Sequence, residues 1–138
     1  MSTVYFYEKP GCINNTRQKA LFSEAGHLLI VYNLLQHPWP DQPDKLRSFF
    51  SSLPVAEWFN RSAPAVKNGE VVPEKLSANE AITLMIANPI LIRRPLLEID
   101  GKRFCGFDPL QLSEWLTFQK SIKDLESCPR LHGQDCST

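Results

Sequence analysis

The chain carries no net charge, since fifteen basic and fifteen acidic side chains balance over 138 residues. That removes the basic footprint expected of a protein that binds nucleic acid directly. No run approaches the roughly eighteen consecutive apolar residues of a membrane-spanning helix. A signal-peptide layout is also missing, because polar Glu8 and Lys9 closely follow the first apolar run. A cytoplasmic protein with no membrane partner is expected. Cysteine is scarce, at positions 12, 105, 128 and 136, and no pair is spaced as C-x-x-C. The three histidines, His27, His37 and His132, form no ligand pattern with these cysteines. No metal site is therefore expected, and in a reducing compartment neither are structural disulfides. Internal repeats and low-complexity tracts are absent.

What is present points first to one short stretch, Glu8-Lys9-Pro10-Gly11-Cys12-Ile13-Asn14-Asn15. It places a lone cysteine between a strand-like run, Thr3 to Tyr7, and a helix-like run, Thr16 to Ala25. A helix N-terminus presents unpaired N–H groups and the positive end of the helix dipole. A thiol there ionises more easily, and the thiolate is the nucleophile. The same N–H groups can hold an oxyanion or the sulfur of a mixed disulfide. The competing reading is a buried, inert thiol at a strand end. Cys105 lies in an apolar run and reads as a small core residue. Cys128 and Cys136 fall in a Pro/Gly/Ser-containing tail.

The order of elements follows from periodicity and punctuation. Residues 3–7 alternate as a strand, and a helix is expected over about 15–25, capped by Asn14 or Asn15 and stopped by Gly26. His27 to Asn33 is nearly all apolar and reads as a strand buried on both faces. Strand, helix and strand within thirty residues make a βαβ unit with parallel strands. A proline-punctuated link opens a helical insert of about 43–88, with Leu46, Phe49 and Phe50 at helical spacing and a short helix starting near Pro54. Ala63-Pro64 through Pro73 reads as loop. Ser77 and Glu80 form a capping box for a helix over Ala78 to Ala87, which Asn88-Pro89 ends. Leu96–Ile99, Asp100-Gly101 and Lys102–Cys105 read as a hairpin with a two-residue turn. Asp108-Pro109 opens a last helix with Leu110, Leu112, Trp115 and Leu116 on its apolar face. Residues 119–138 read as an extension, partly disordered.

A βαβ unit, a helical insert, a β-hairpin and a C-terminal helix are the order of an α/β, thioredoxin-like fold with a mixed four-stranded sheet, here over residues 1–118. In that plan Arg94-Pro95 falls where such folds carry a cis proline facing the active cysteine. The chain resembles the arsenate reductase (ArsC-type) and Spx-type branch of these proteins. Tyr5-Phe6-Tyr7 with Pro10-x-Cys12 carries the likeness, together with Asn88-Pro89-Ile90-Leu91-Ile92-Arg93-Arg94-Pro95 and Ile99-Asp100-Gly101-Lys102 followed by Gly106. Pro10 to Lys19 resembles its nitrogenase-associated subgroup more closely.

The resemblance implies a nucleophilic Cys12, an anion-contacting Arg94 and an external thiol, glutathione or glutaredoxin, that resolves the adduct. Asn14, Asn15 and, by a less secure match, Arg61 would join the anion site, with no bound cofactor. Three departures bear on this. Glu8 stands where the reductases have a histidine, and Phe107 stands where they have an arginine. Asn15 occupies the position at which Spx-type proteins carry a second cysteine, which excludes a disulfide across that turn. The two functions implied are a glutathione- or glutaredoxin-coupled thiol reductase, with arsenate itself doubtful, and a non-catalytic adaptor that binds a nitrogenase-related protein.

Overall fold

A computed structural model of the chain describes residues 1–51 and 53–116. The expected extension over 119–138, with Cys128 and Cys136, lies outside the described residues. The first strand, β1 (Thr3–Glu8), leads into helix α1 (Ile13–Glu24), which returns to β2 (Leu28–Asn33). β1 and β2 are parallel, in register from Thr3 opposite Leu28 to Glu8 opposite Asn33. The hairpin β3 (Leu96–Ile99) and β4 (Lys102–Cys105) joins the other side of β1 antiparallel, giving the order β2-β1-β3-β4. This is a mixed four-stranded sheet with the topology of the thioredoxin-like fold.

Alternation along the central strands divides the apolar residues between two cores, one on each face of the sheet. Val4, Phe6, Leu97, Ile99 and Phe104 pack with Phe22 of α1 and with Phe107, Leu112 and Trp115. Tyr7, Leu96 and Cys105 pack on the opposite face with Trp39, Leu46, Phe49, Phe50 and Met85. Each fully buried aromatic side chain contributes on the order of 2–3 kcal/mol through apolar surface removed from water. His37 sits at the rim of this second core, edge-on to Tyr7 at 5.2 Å, and burial holds its imidazole below the ordinary value.

The second face is covered by short helices because proline starts them repeatedly. Pro43 opens α2 (Pro43–Ser48), and Pro64 opens α3 (Pro64–Lys67). Pro73 and Pro89 begin 3₁₀ turns over Pro73–Lys75 and Pro89–Leu91. A fixed φ and a missing N–H suit the first position of a helix and no interior one. α4 (Ala78–Ala87) carries the capping box read from the sequence. The Glu80 N–H donates to Ser77 Oγ at 3.2 Å, and the Ser77 N–H donates to Glu80 Oε1 at 2.9 Å.

Four expectations need correction. β2 is an edge strand, not a strand buried on both faces: Leu28 is 53 % and Val31 41 % exposed. The helical insert starts a helix at Pro64, inside the segment read as loop. Near Pro54 the chain forms only a 3₁₀ turn, Val55–Glu57. Asp108 caps no helix among the described residues. Its carboxylate accepts the Leu110 N–H at 3.0 Å, and the chain runs through turns to a 3₁₀ turn, Ser113–Trp115. Leu110, placed on the apolar face, is 73 % exposed, whereas Leu112, Trp115 and Leu116 are buried. Among the described residues no helix is long and apolar enough to cross a membrane.

The capping box yields a pH-dependent prediction. Bonds from the Ser77 backbone N–H and then its hydroxyl hold the Glu80 carboxyl below its ordinary 4.5. A carboxyl lowered in the folded state stabilises above its unfolded value, and that contribution is lost as pH falls through the folded value. Glu80→Ala should lower the urea midpoint at pH 7 and have little effect at pH 3. An equal effect at both pH values would show that the carboxylate is not the stabilising partner.

Candidate active site around Cys12

β1 ends at Glu8, and the chain reverses over Lys9 to Cys12, where the Cys12 N–H donates to the Lys9 carbonyl at 3.1 Å. Pro10 occupies the second position of this turn, and Gly11 has φ +83° at the third. That is the pattern of a type II turn, whose third residue needs positive φ. The turn delivers Cys12 directly into the N-cap position of α1, with extended backbone and no side chain capping the helix. The carbonyl of Cys12 accepts the first helical bond, from the Thr16 N–H at 3.1 Å. A thiol therefore stands where Ser, Thr, Asp or Asn ordinarily satisfies the first N–H groups.

Asn14 and Asn15 are not caps. The helix begins before them, and both lie buried in its first turn. Asn15 reaches back to the loop, accepting the Lys9 N–H at 3.1 Å and donating to Gln18 Oε1 at 3.0 Å. These bonds tie the turn to the helix and give the buried side chains of Asn15 and Gln18 a polar partner. Asn14 is 4 % exposed, and its Oδ1 has no hydrogen-bond partner. Cys12 itself is 3 % exposed. The carboxylate of Glu8, at the end of β1, is ion-paired with Lys19 of α1, so its negative charge is compensated locally.

The opposite wall comes from the strand register. Tyr7 lies opposite Leu96, so the segment just before β3 meets the end of β1 that leads into the Cys12 turn. The Arg94–Pro95 peptide bond there is cis. Arg94 is partly buried, and its Nε has no partner. Arg93, its neighbour, is held elsewhere: its N–H donates to the Trp58 carbonyl at 2.9 Å, and its guanidinium packs on Gly106. Arg61 is placed differently from Arg94. Its Nη2 pairs with Glu74 at 2.7 Å and donates to the Ala56 carbonyl at 2.9 Å, holding the Glu74 carboxyl low.

Cys105 is a core residue of β4, its sulfur 3.8 Å from the Arg93 carbonyl, and both Cys12 and Cys105 are buried. Among the described residues no group of three or more His, Cys, Asp or Glu side chains is placed to hold a metal ion. A cleft of about 570 Å³ opens along β4 between Ser48 and Arg103, and it shares no lining residue with the Cys12 turn.

Phe107 is fully buried and packs edge-to-face on Phe22 at 5.9 Å. A guanidinium at this position would have to enter the core between α1 and the sheet. Phe107→Arg should therefore cost more than about 3 kcal/mol, combining the loss of a packed aromatic with burial of an unpaired charge. Urea denaturation measures this, and wild-type stability would show that the side chain can swing out to the surface.

Residues 7–115 match the ArsC family. An uncharacterized 15.7 kDa protein from the draG 3′ region of Rhodospirillum rubrum is 45 % identical over 130 residues, covering 94 % of this chain and 90 % of its own. Among solved structures, arsenate reductase from Vibrio cholerae superposes with a TM-score of 0.68 at 23 % identity, covering 83 % of this chain and 98 % of its own. An ArsC-family-related protein from Bacteroides fragilis does so with a TM-score of 0.69 at 22 % identity, covering 81 % and 96 %. At these identities the two structures speak for the fold. With its matching span, its 45 % identical relative and its sheet order, the chain belongs to the ArsC family.

Proposed function

We propose that this protein acts as a thiol reductase in which Cys12 is the nucleophile and glutathione or a glutaredoxin resolves the adduct. The observation that carries this reading is the set of uncommitted groups at one end of the sheet. A thiol fills the N-cap of an uncapped helix, while Asn14 Oδ1 and Arg94 Nε are buried without partners. A buried polar atom without a partner costs about 1–3 kcal/mol, and a bound ligand would relieve that cost. The guanidinium and the helix amides suit an anion or the carboxylates of glutathione. Arg61, already paired with Glu74, would take part only by exchanging that partner.

The chemistry balances with glutathione disulfide as the oxidant and one external thiol as the reductant. The Cys12 thiolate attacks one sulfur of a glutathione disulfide, forms a mixed disulfide and expels glutathione thiolate. A glutaredoxin thiolate then attacks the glutathione sulfur, carries it off as its own mixed disulfide and releases the Cys12 thiolate, whereas attack by glutathione would only regenerate glutathione disulfide. With Asn15 at the fourth position of the motif, the turn supplies no resolving thiol of its own. The reducing cytoplasm is the compartment this cycle requires. Arsenate is a poor candidate substrate, because the position of the reductases' additional arginine is taken by core Phe107.

That same substitution, with the 3 % exposure of Cys12, favours a second reading. In it the domain is a non-catalytic adaptor that docks a protein, with a nitrogenase-related partner suggested by the sequence resemblance.

Incubation with glutathione disulfide, followed by peptide mapping in the mass spectrometer, separates the two. The reductase reading expects one glutathione on Cys12 of the folded protein, removed by glutaredoxin, and formed at least tenfold more slowly in Arg94→Ala. Modification confined to other cysteines, with Cys12 inert until the chain is unfolded, would leave the adaptor.

A further inference from the structure

Two adjacent arginines precede Pro95, and the fold treats them in opposite ways. Arg93 is committed along its whole length. Its N–H donates to the Trp58 carbonyl at 2.9 Å, its Nη1 lies 3.4 Å from the Glu57 carbonyl, and its own carbonyl lies 3.8 Å from Cys105 Sγ. Its guanidinium covers Gly106: a Cβ at that position would stand 2.8 Å from Cζ, Nε and Nη2 alike. Three equal distances from one point mean that the planar group lies face-on to the Gly106 backbone. Gly106 also has φ +82°, and its N–H donates to the Pro95 carbonyl at 2.8 Å. The residue between these two ties is Arg94, whose Nε is buried without a partner.

We infer that Arg93 and Gly106 are positioning residues for Arg94. The stacked guanidinium and the Gly106–Pro95 bond fasten the chain on both sides of Arg94 to the end of β4, fixing its backbone and leaving its side chain for a ligand. The ligand role rests on the function proposed above. Residue type matters at both members. A lysine has no plane to lay on a backbone, so Arg93→Lys keeps the charge and loses the contact. Any side chain at 106 enters the space of the guanidinium and must also adopt a left-handed backbone conformation.

The test reads Arg94 directly and Cys12 separately. In ¹⁵N-labelled protein the Arg94 Nε–H signal, assigned by its loss in Arg94→Lys, gives a solvent-exchange rate. Arg93→Ala, Arg93→Lys and Gly106→Ala should each raise that rate at least tenfold while the amide spectrum stays native. Should Gly106→Ala fail to fold, Arg93→Lys decides, because it inserts no atoms. Glutathionylation of Cys12 should slow in Arg93→Ala about as much as in Arg94→Ala. The double variant should then be no slower than Arg94→Ala alone, since a residue acting only through another is non-additive with it. Unchanged exchange in the Arg93 variants, or additive slowing in the double variant, overturns the inference. A wild-type Cys12 that does not react ends the proposed function, and the exchange rates still decide whether the clamp exists.

Discussion

The pairing of β1 on both sides is the constraint on which the molecule depends. Its parallel neighbour β2 comes from the βαβ unit, and its antiparallel neighbour β3 comes from ninety residues away. Because successive side chains of β1 point to opposite faces, this one strand supplies Val4 and Phe6 to one core and Tyr7 to the other. The register has a chemical consequence as well. With Tyr7 opposite Leu96, the turn that carries Cys12 and the cis Arg94–Pro95 peptide emerge at the same end of the sheet. A slip by one residue would exchange the two faces of β1 and bury the wrong half of its side chains.

The surroundings of Cys12 divide into groups that are satisfied and groups that are left open. Glu8 is matched by Lys19, and Asn15 by the Lys9 amide and Gln18. Asn14 Oδ1 and Arg94 Nε remain open, and no side chain caps α1. Serine or aspartate at position 12 would have capped the helix and stabilised it by about 1 kcal/mol. A thiol caps poorly, so the local sequence forgoes that stability at the position where the helix amides would face a ligand.

Much of this was legible in the sequence, and the failures share a cause. Signals that act within a few residues read correctly: the Ser77–Glu80 capping box, the Asp100-Gly101 turn and the β1–α1–β2 unit. Misreadings arose where tertiary placement decides. An apolar run such as Leu28 to Tyr32 looks the same in an edge strand as in a central one, and only the hairpin's docking on the far side of β1 sends β2 to the edge. Asn14 and Asn15 have the right chemistry to cap a helix, yet the Pro10-Gly11 turn starts that helix at Ile13 with Cys12 as its N-cap, too early for either of them. For the site, the sequence singled out Cys12, Arg94, Asn14, Asn15 and Arg61, of which Asn15 and Arg61 are engaged by other groups of the protein. It could not show that Arg93 turns back onto Gly106, because that contact joins segments thirteen residues apart through a hairpin.

Phe107, next to Gly106, is buried, while Arg93 packs on Gly106 itself. A guanidinium after Gly106 would compete for space with the apolar contact of Phe107 on Phe22. The core of this chain is instead closed by the aromatic ring, and the cation nearest Gly106 is used as packing. Of the cations carried by the Arg93-Arg94 pair, only Arg94 keeps a buried, unpartnered donor. A single guanidinium makes at most one bidentate contact with an anion, so the remaining oxygens of a tetrahedral oxyanion would have to be met by other donors. The donors left open at this end of the sheet are thus one guanidinium and the uncapped N-terminus of α1, whereas Asn14 offers an acceptor.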